Sequence, residues 1–205
     1  MTTNLPEDLI PENAEGAQSN TESNVEFETV TEAIRFYHVV RERLLDVNSW
    51  NEWTGAATAR FQLINSEGNK VNRLARHGDY FQISIPGPDV KGKEDWVRIE
   101  AVEEGREPDC NMTAIRVRPA ANPMDSNRET AHFFHEQATS TFIAKQQGCR
   151  VTAGVYGRNE KPNTGTESLG DQIRNAVVAL GAIIGFSKLQ WKSLVTGLLS
   201  KDPAL

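Results

Sequence analysis

The sequence has few of the features that mark several large classes of protein. Its 205 residues include two cysteines, Cys110 and Cys149, which are far apart and lie in no C-x-x-C pair. Neither a disulfide framework nor a cysteine-rich zinc site is therefore expected. The strongest apolar run, residues 176–186, is about half as long as a membrane-spanning helix. The N-terminus has no basic start followed by an apolar run, so we expect no secretory signal and a cytoplasmic protein.

Residues 25–205 also lack a strong excess of positive or negative charge. The formal net charge is −6, and five of the negative charges lie within residues 1–24, so about −1 remains for residues 25–205. A nearly neutral body has no field strong enough to bind phosphates. This excludes nucleic acid and an anionic membrane surface as main partners.

Residues 1–24 are poor in large apolar side chains. They contain two prolines and five acids, no lysine or arginine, and only Leu5, Leu9 and Ile10 as large apolar residues. Such a segment cannot bury enough surface to offset the entropy that ordering costs, so we predict a disordered acidic tail over residues 1–24. The remaining length suits one well-buried core, which predicts a single domain over residues 25–205.

Residues 29–47 carry apolar side chains at three- and four-residue steps, which is the spacing of an amphipathic helix. Thr29 or Thr31 can cap the start of the helix, and Thr29 with Glu32 has the S/T-x-x-E spacing of a capping box. Trp50 and Trp53 follow it in a short turn or a second helix.

Downstream of this helix, the spacing of apolar residues changes from the period of a helix to the two-residue period of strands. Apolar and polar residues alternate, as in Phe81, Ile83 and Ile85 against Gln82 and Ser84. One face of the resulting antiparallel sheet is expected to be buried against the core and the other to be exposed to solvent. The predicted strands are 57–64, 69–76, 80–86, 96–102, 112–118, 131–144 and 149–156.

The last predicted element is a helix from Asp171 to about Ser200, which has the largest apolar surface of the chain. Gly181 and Gly185 lie within it, and each costs about 1 kcal/mol relative to alanine in a helix interior. Either strand backbone packs tightly against these glycines, which we favour, or they leave room for a guest molecule.

The order of elements and three short features resemble a known superfamily. The features are residues 45–53 (LDVNSWNEW), which look like a helix-to-strand corner with paired tryptophans, the hairpin 148–152 (GCRVT), and the long terminal helix. In these features and in the order of its elements, the chain resembles the START-like superfamily of helix-grip proteins, which is also called SRPBCC. Proteins of this superfamily usually open with a strand before the first helix, and residues 25–27 are barely long enough for one.

The resemblance implies a fold of the α+β class, in which a curved antiparallel β-sheet grips a long C-terminal helix with an apolar cavity between them. The superfamily includes carriers and enzymes, so the fold alone does not choose a function. We expect non-catalytic binding of a small apolar molecule in that cavity, without a cofactor. Strand and helix parity predicts eight lining residues: Trp53, Ile83, Ile99, Ile115, Ala153, Val177, Gly181 and Ile184.

Few polar motifs have a spacing that suits chemistry. His132 and His135 lack the H-E-x-x-H order of zinc helices and would point to opposite faces of a strand, so no metal site is expected. Ser140 lies in no G-x-S-x-G elbow. The turn at residues 158–160 (RNE) could meet a polar head group or simply be solvated, and the sequence leaves its role open.

Two other functions remain open. An interaction or assembly subunit, for instance a homo-oligomer without a ligand, would dock through the terminal helix or an exposed strand edge. A hydrolase or cyclase would need a titratable side chain pointing into the cavity, and Asp79, His132 and Glu136 are the nearest candidates. No motif identifies a catalytic residue, so the sequence favours a binding protein over an enzyme.

Overall fold

The strand and helix patterns of the sequence become the elements of an α+β fold. The computed structural model describes residues 6–54, 59–84, 94–126, 130, 132, 134–163 and 188–201. Its helices are α1 (Val30–Leu45), α2 (Trp50–Thr54) and α3 (residues 188–198), with 3-10 helices at Pro6–Leu9 and Val47–Ser49. Its strands are β1 (Ala17–Glu26), β2 (Arg60–Ile64), β3 (Tyr80–Ser84), β4 (Asp95–Glu107), β5 (Cys110–Pro119), β6 (Thr139–Gln147) and β7 (Arg150–Glu160).

The seven described strands form one curved antiparallel sheet in the order β1-β7-β6-β5-β4-β3-β2. We call the face that carries Phe61, Phe81, Val117, Phe142 and Val155 the inner face, and the opposite one the outer face. Both α1 and α3 add buried side chains to the core cluster of the inner face. The predicted fold class, a curved antiparallel sheet with an N-terminal and a C-terminal helix, is confirmed.

Helix α1 begins at a capping box, as predicted. Thr29 Oγ1 accepts a hydrogen bond from the Glu32 backbone N–H at 3.2 Å, and Glu32 Oε2 accepts one from the Thr29 N–H at 3.1 Å. These bonds pair two N–H groups that have no partner inside the helix. On the buried side of α1, Tyr37 Oη and Thr113 Oγ1 share a hydrogen bond of 2.7 Å. This bond fixes α1 against β5.

The N-terminal segment corrects the prediction of a disordered tail over residues 1–24. Residues 17–24 form most of β1 and pair with β7. Farther upstream, Leu9 is buried on the outer face, and its carbonyl oxygen accepts a hydrogen bond from Thr141 Oγ1 at 3.1 Å. Composition does not reveal this ordered strand, because its polar residues are held by backbone hydrogen bonds to β7, which is distant in the sequence. The strand is also longer than residues 25–27, the short segment that the sequence offered as a strand before the first helix.

Two of the predicted strands are wrong in whole or in part. Residues 69–76 form no strand, and within them Lys70 makes an isolated bridge to Ile64. Residues 134–138 of the predicted strand 131–144 lie in a bridge and a turn, and β6 begins only after them. Alternating residues favour a strand, but alternation does not supply the neighbouring strand that pairing requires.

A β-bulge in β4 changes which side chains face inward. Val97 and Ile99 lie in the inner core, and strict alternation predicts Ala101 beside them, but the register shifts between Ile99 and Ala101. Ala101 consequently packs against the cluster on the outer face, and Val102 packs against the inner core. The bulge thus reverses the parity on which the prediction for this strand rests.

The end of α3 packs closely on α2. A Cβ atom at Gly197 would lie 1.9 Å from the backbone carbonyl oxygen of Trp53, so only glycine fits there. The Arg43 guanidinium donates to the carbonyl oxygens of Leu198 and Ser200, at 2.9 and 2.7 Å. These bonds pair acceptors that the last turn of a helix leaves unsatisfied.

Only the last part of the predicted terminal helix belongs to the described residues. Gly181 and Gly185, where close packing or a guest molecule is expected, lie outside them. In the ranges that the structure describes, no helix is long and apolar enough to cross a bilayer.

Candidate functional site: a pocket between the sheet and α3

A pocket opens between the inner face of the sheet and α3. It has a volume of about 50 Å³, its lining is mostly apolar, and it is partly open to solvent. The lining combines residues from β2 to β7, from α3 and from the segments before β2 and β6. The described lining residues are Ala59, Phe61, Phe81, Ile83, Val97, Val117, His132, Phe134, Ser140, Phe142, Glu160, Gln190 and Trp191.

Aromatic rings form one wall of the pocket. Trp191 of α3 meets Phe142 edge-on, with ring centroids 5.2 Å apart and planes at 80°, and its centroid lies 6.3 Å from that of Phe61. The fully buried Trp50 contacts Phe61, Phe81 and Phe142 at centroid distances of 5.2, 5.5 and 4.8 Å. Tilted and edge-on contacts of this kind stabilise aromatic clusters. The wall is therefore fixed by the core behind it.

Gln190 is the polar side chain that α3 contributes to the pocket. It is 3% exposed, and its Oε1 accepts a hydrogen bond from the Ala59 backbone N–H at 2.9 Å. Within the described part of the chain, its Nε2 has no hydrogen-bond partner. Buried donors without an acceptor are uncommon in folded proteins. The amide therefore has unused donor capacity at the pocket.

Glu160, the last residue of β7, is an acid that lines the pocket. Ser19 Oγ donates a hydrogen bond to Glu160 Oε1 at 3.0 Å. Burial raises the pKa of this carboxyl above its ordinary value, while the Ser19 hydrogen bond and the positive charges of Arg158 and Lys188 act in the opposite direction. The neutral form of Glu160 therefore persists to a higher pH than that of an exposed glutamate.

Residues 158–160, predicted as a turn, form the end of β7 and anchor the N-terminal segment beside the pocket. Asn159 has a φ of 54°, in the left-handed region that asparagine tolerates better than most residues. Its Oδ1 accepts hydrogen bonds from the N–H groups of Ala14 and Glu15, at 2.9 and 3.1 Å, and its own N–H donates to Asn13 Oδ1 at 2.8 Å. These bonds thus join the end of β7 to the segment before β1.

His132 lines the pocket from the segment before β6. Its Nδ1 accepts a hydrogen bond from the Phe134 N–H at 2.9 Å, and burial lowers the pKa of the imidazole to about 3. The Asn163 side chain donates to the His132 carbonyl oxygen at 3.1 Å and so ties this segment to the residues after β7. The imidazole is neutral at physiological pH, with its proton on Nε2.

The other titratable candidates from the sequence lie outside the pocket lining. Asp79 is buried, but it accepts two hydrogen bonds from the Arg73 guanidinium, at 2.7 and 2.9 Å, and one from the Arg76 N–H at 2.9 Å. Glu136 is exposed. Of these three candidates, His132 alone lines the pocket. Among the described residues, no three His, Cys, Asp or Glu side chains are grouped as a metal site requires.

The structure places one of the eight predicted lining residues, Ile83, at the pocket. Three others have no exposed surface and pack in the inner core outside the lining, namely Ile99, Ile115 and Ala153. Parity assigned these residues to the correct face of the sheet. It does not give the position along each strand, and the pocket occupies only part of the inner face.

Trp53, also predicted to line the cavity, packs at the junction of α2 and α3. The Arg43 guanidinium lies 4.1 Å above the centroid of its ring, and Gly197 packs against its backbone. The remaining predicted residues lie outside the described ranges, namely Val177, Gly181 and Ile184. Their role in binding stays a prediction.

Sequence reasoning missed Gln190, and it named Glu160 only within residues 158–160, whose role it left open. A signal for Gln190 exists, because it is a polar residue on the same helical stripe as Leu194 and Leu198, both buried. Glu160 has no such signal, since the left-handed Asn159 interrupts the alternation of β7 just before it.

Comparison with known proteins gives structural neighbours but no family. No family profile matches the chain, and no curated protein matches it. A hypothetical protein from Helicobacter pylori is 12% identical with a TM-score of 0.47, over 96% of this chain and 95% of that protein. Ara h 8.0201 is 11% identical with a TM-score of 0.36, over 87% and 99%. Truncated norcoclaurine synthase from Thalictrum flavum is 8% identical with a TM-score of 0.36, over 89% and 96%.

These neighbours leave the function of the chain unassigned. They also do not show that the chain belongs to the START-like superfamily that its sequence resembles. All three TM-scores are below 0.5 and all three identities are below 25%, so the similarity supports no inference about activity or ligand. Membership of the superfamily stays a prediction.

Proposed function

We propose that the chain binds a small, mainly apolar ligand in the pocket between the inner face of the sheet and α3. The observation that carries this proposal is a partly open, apolar pocket with a few polar side chains in its wall. Ligand sites commonly have this composition, because apolar walls supply affinity and a few polar groups set orientation. The binding is proposed to be non-catalytic, to need no cofactor and to take place in the cytoplasm.

The size of the pocket limits the part of the ligand that it holds. A volume of about 50 Å³ equals roughly three to five water molecules at 10–15 Å³ each. This volume is about a third of the roughly 150 Å³ of an apolar cavity that binds benzene, so one small ring or a branched alkyl group fits only when lining side chains move or part of it lies in the open mouth. Any longer part of the ligand would leave through the open side.

Benzene is expected to bind the wild-type chain and to lose affinity when the pocket is filled. Ser140 pairs with Val117 across β5 and β6, and both line the pocket. The variant Ser140→Leu therefore places an alkyl side chain in the space that benzene would occupy. We expect the affinity to fall by about tenfold or more, as loss of an apolar contact surface predicts. An NMR titration of backbone amides measures the affinity and identifies the residues that contact benzene.

The matched control for this titration is Ser84→Leu. Ser84 lies at the end of β3, next to the inward-facing Ile83 in sequence, and it does not line the pocket. This variant is expected to bind benzene as the wild type does, within about twofold. Equal affinity in the wild type and in Ser140→Leu would contradict the proposed site.

The affinity for benzene is expected to fall as the pH rises through the raised pKa of Glu160. Below that pKa the carboxyl is neutral, and above it the carboxylate retains water at the pocket wall and disfavours an apolar occupant. Arg158 and Lys188 stabilise the carboxylate and so lower the pH at which the affinity falls. His132 stays neutral at the pH values of this titration, because burial lowers its pKa to about 3.

Titrations at a series of pH values below and above neutrality measure this dependence. Glu160→Gln removes the charge and keeps the size of the side chain, so its benzene affinity is expected to be independent of pH. A pH dependence that is the same in the wild type and in Glu160→Gln would show that another group is responsible.

A further inference from the structure

The side-chain amide of Gln190 has a fixed orientation. The Ala59 backbone N–H donates a hydrogen bond to its side-chain oxygen at 2.9 Å. An amide NH₂ group cannot accept such a bond, so the oxygen must face Ala59. Both residues line the pocket. The NH₂ group is therefore the part of the amide that remains for an occupant.

This NH₂ group is buried without an acceptor. Gln190 is 3% exposed, and its Nε2 has no hydrogen-bond partner in the part of the chain that the structure describes. A buried donor that is left unpaired destabilises the folded state, and folded proteins contain few such groups. Because Nε2 has less than 1 Å² of accessible surface, an oxygen atom from an occupant of the pocket would supply the missing acceptor once lining side chains move to expose this atom.

The surroundings of Gln190 favour a neutral oxygen over a charged one. No lysine or arginine is among the described lining residues, and the Arg158 and Lys188 charges act on Glu160 from outside that lining. His132 is neutral because burial lowers its pKa to about 3. A carboxylate would therefore enter the pocket without a cation to pair with it, which is unfavourable. A carbonyl oxygen accepts a hydrogen bond without carrying a full charge.

We propose that the ligand is a small neutral molecule with a carbonyl oxygen, which accepts a hydrogen bond from Gln190 Nε2 while the hydrocarbon part contacts the aromatic wall. Phe142 and Trp191 supply the contact surface for that part. The inference rests on the proposed function and adds the chemical class of the ligand. It makes Gln190 a residue that discriminates a ketone from a hydrocarbon of the same shape.

Cyclopentanone and methylenecyclopentane test this inference, because they differ only in the exchange of C=O for C=CH₂. Their dissociation constants are measured by NMR titration in the wild type and in Gln190→Met, whose side chain has a similar length and no donor. Relative to the hydrocarbon, the ketone is expected to lose about five- to tenfold in affinity in the variant, as the loss of one hydrogen bond predicts. The ratio of the two constants cancels effects that are common to both ligands.

The matched control is Leu189→Met, at a neighbouring position of α3 that is 72% exposed. It is expected to leave the ratio of the two constants unchanged. Gln190→Met also removes the acceptor of the Ala59 N–H and could unfold, so a second measurement uses the wild type alone. The side-chain NH₂ resonances of Gln190 are expected to shift when cyclopentanone is added and to stay in place with methylenecyclopentane.

Failure of the inference can be separated from failure of the proposed function. If both ligands bind and neither the ratio nor the Gln190 resonances respond to the carbonyl, the inference is overturned and the binding site remains. If benzene, cyclopentanone and methylenecyclopentane all fail to bind the wild-type chain, the proposed function is overturned together with the inference.

Discussion

Replacing Gly197 with alanine is expected to destabilise the protein by about 2–3 kcal/mol, which lowers the melting temperature by about 4–12 °C for a chain of this size. The added Cβ would lie 1.9 Å from the Trp53 carbonyl oxygen and 2.7 Å from its carbonyl carbon. Both are backbone atoms, so the clash is relieved only by moving α3 away from α2. Alanine gains about 1 kcal/mol in helix propensity over glycine, which offsets only part of this cost.

Thr196→Ala is the control for this effect, because Thr196 is the exposed preceding residue of the same helix. It gains a smaller helix propensity without a clash, and its stability is expected to rise by at most about 0.7 kcal/mol. Thermal unfolding monitored by circular dichroism gives both values. If Gly197→Ala is as stable as the wild type, α3 does not pack against α2 in this way.

Replacing Trp50 with alanine is expected to destabilise the protein by about 3–5 kcal/mol. The side chain is fully buried, and its Nε1 donates to the carbonyl oxygens of Arg43 and Leu44, at 3.2 and 3.1 Å. It also contacts Phe61 and Phe142, both of which line the pocket. The truncation would therefore leave a cavity behind the aromatic wall and unpaired acceptors at the end of α1. Urea unfolding measures the loss of stability.

Trp53 provides the matched comparison within the same short helix. Its ring is half-buried, and its Nε1 has no hydrogen-bond partner among the described residues. Trp53→Phe removes that unpaired donor and keeps an aromatic face for the Arg43 guanidinium, so we expect a change of at most about 1 kcal/mol. If Trp50→Ala costs no more than Trp53→Phe, the central role of Trp50 in the core is wrong.

Local signals predict the elements that are stabilised by neighbouring residues. Thr29 and Glu32 are three residues apart and form the capping box that starts α1. The hairpin of β6 and β7 turns at Gly148, whose φ of 56° suits glycine. The fold class also follows from the sequence, because the order of helix, strands and terminal helix leaves few ways to cover one face of the sheet.

Contacts between distant parts of the chain could not be predicted. The polar strand β1 depends on backbone pairing with β7, and the bulge between Ile99 and Ala101 reverses the parity of β4. The pocket joins Ala59, Glu160 and Gln190, which no local pattern connects. Sequence parity therefore assigned the inner face correctly, whereas the site within that face depends on how the strands and α3 are arranged in space.

Native mass spectrometry of gently purified protein shows directly whether the pocket holds a small ligand. We expect one copurified neutral small molecule per chain, which is present in the wild type and in Ser84→Leu, absent in Ser140→Leu and released on denaturation. A ligand-free dimer or larger assembly in the wild type and in both variants would contradict the proposed binding function. It would favour an assembly subunit.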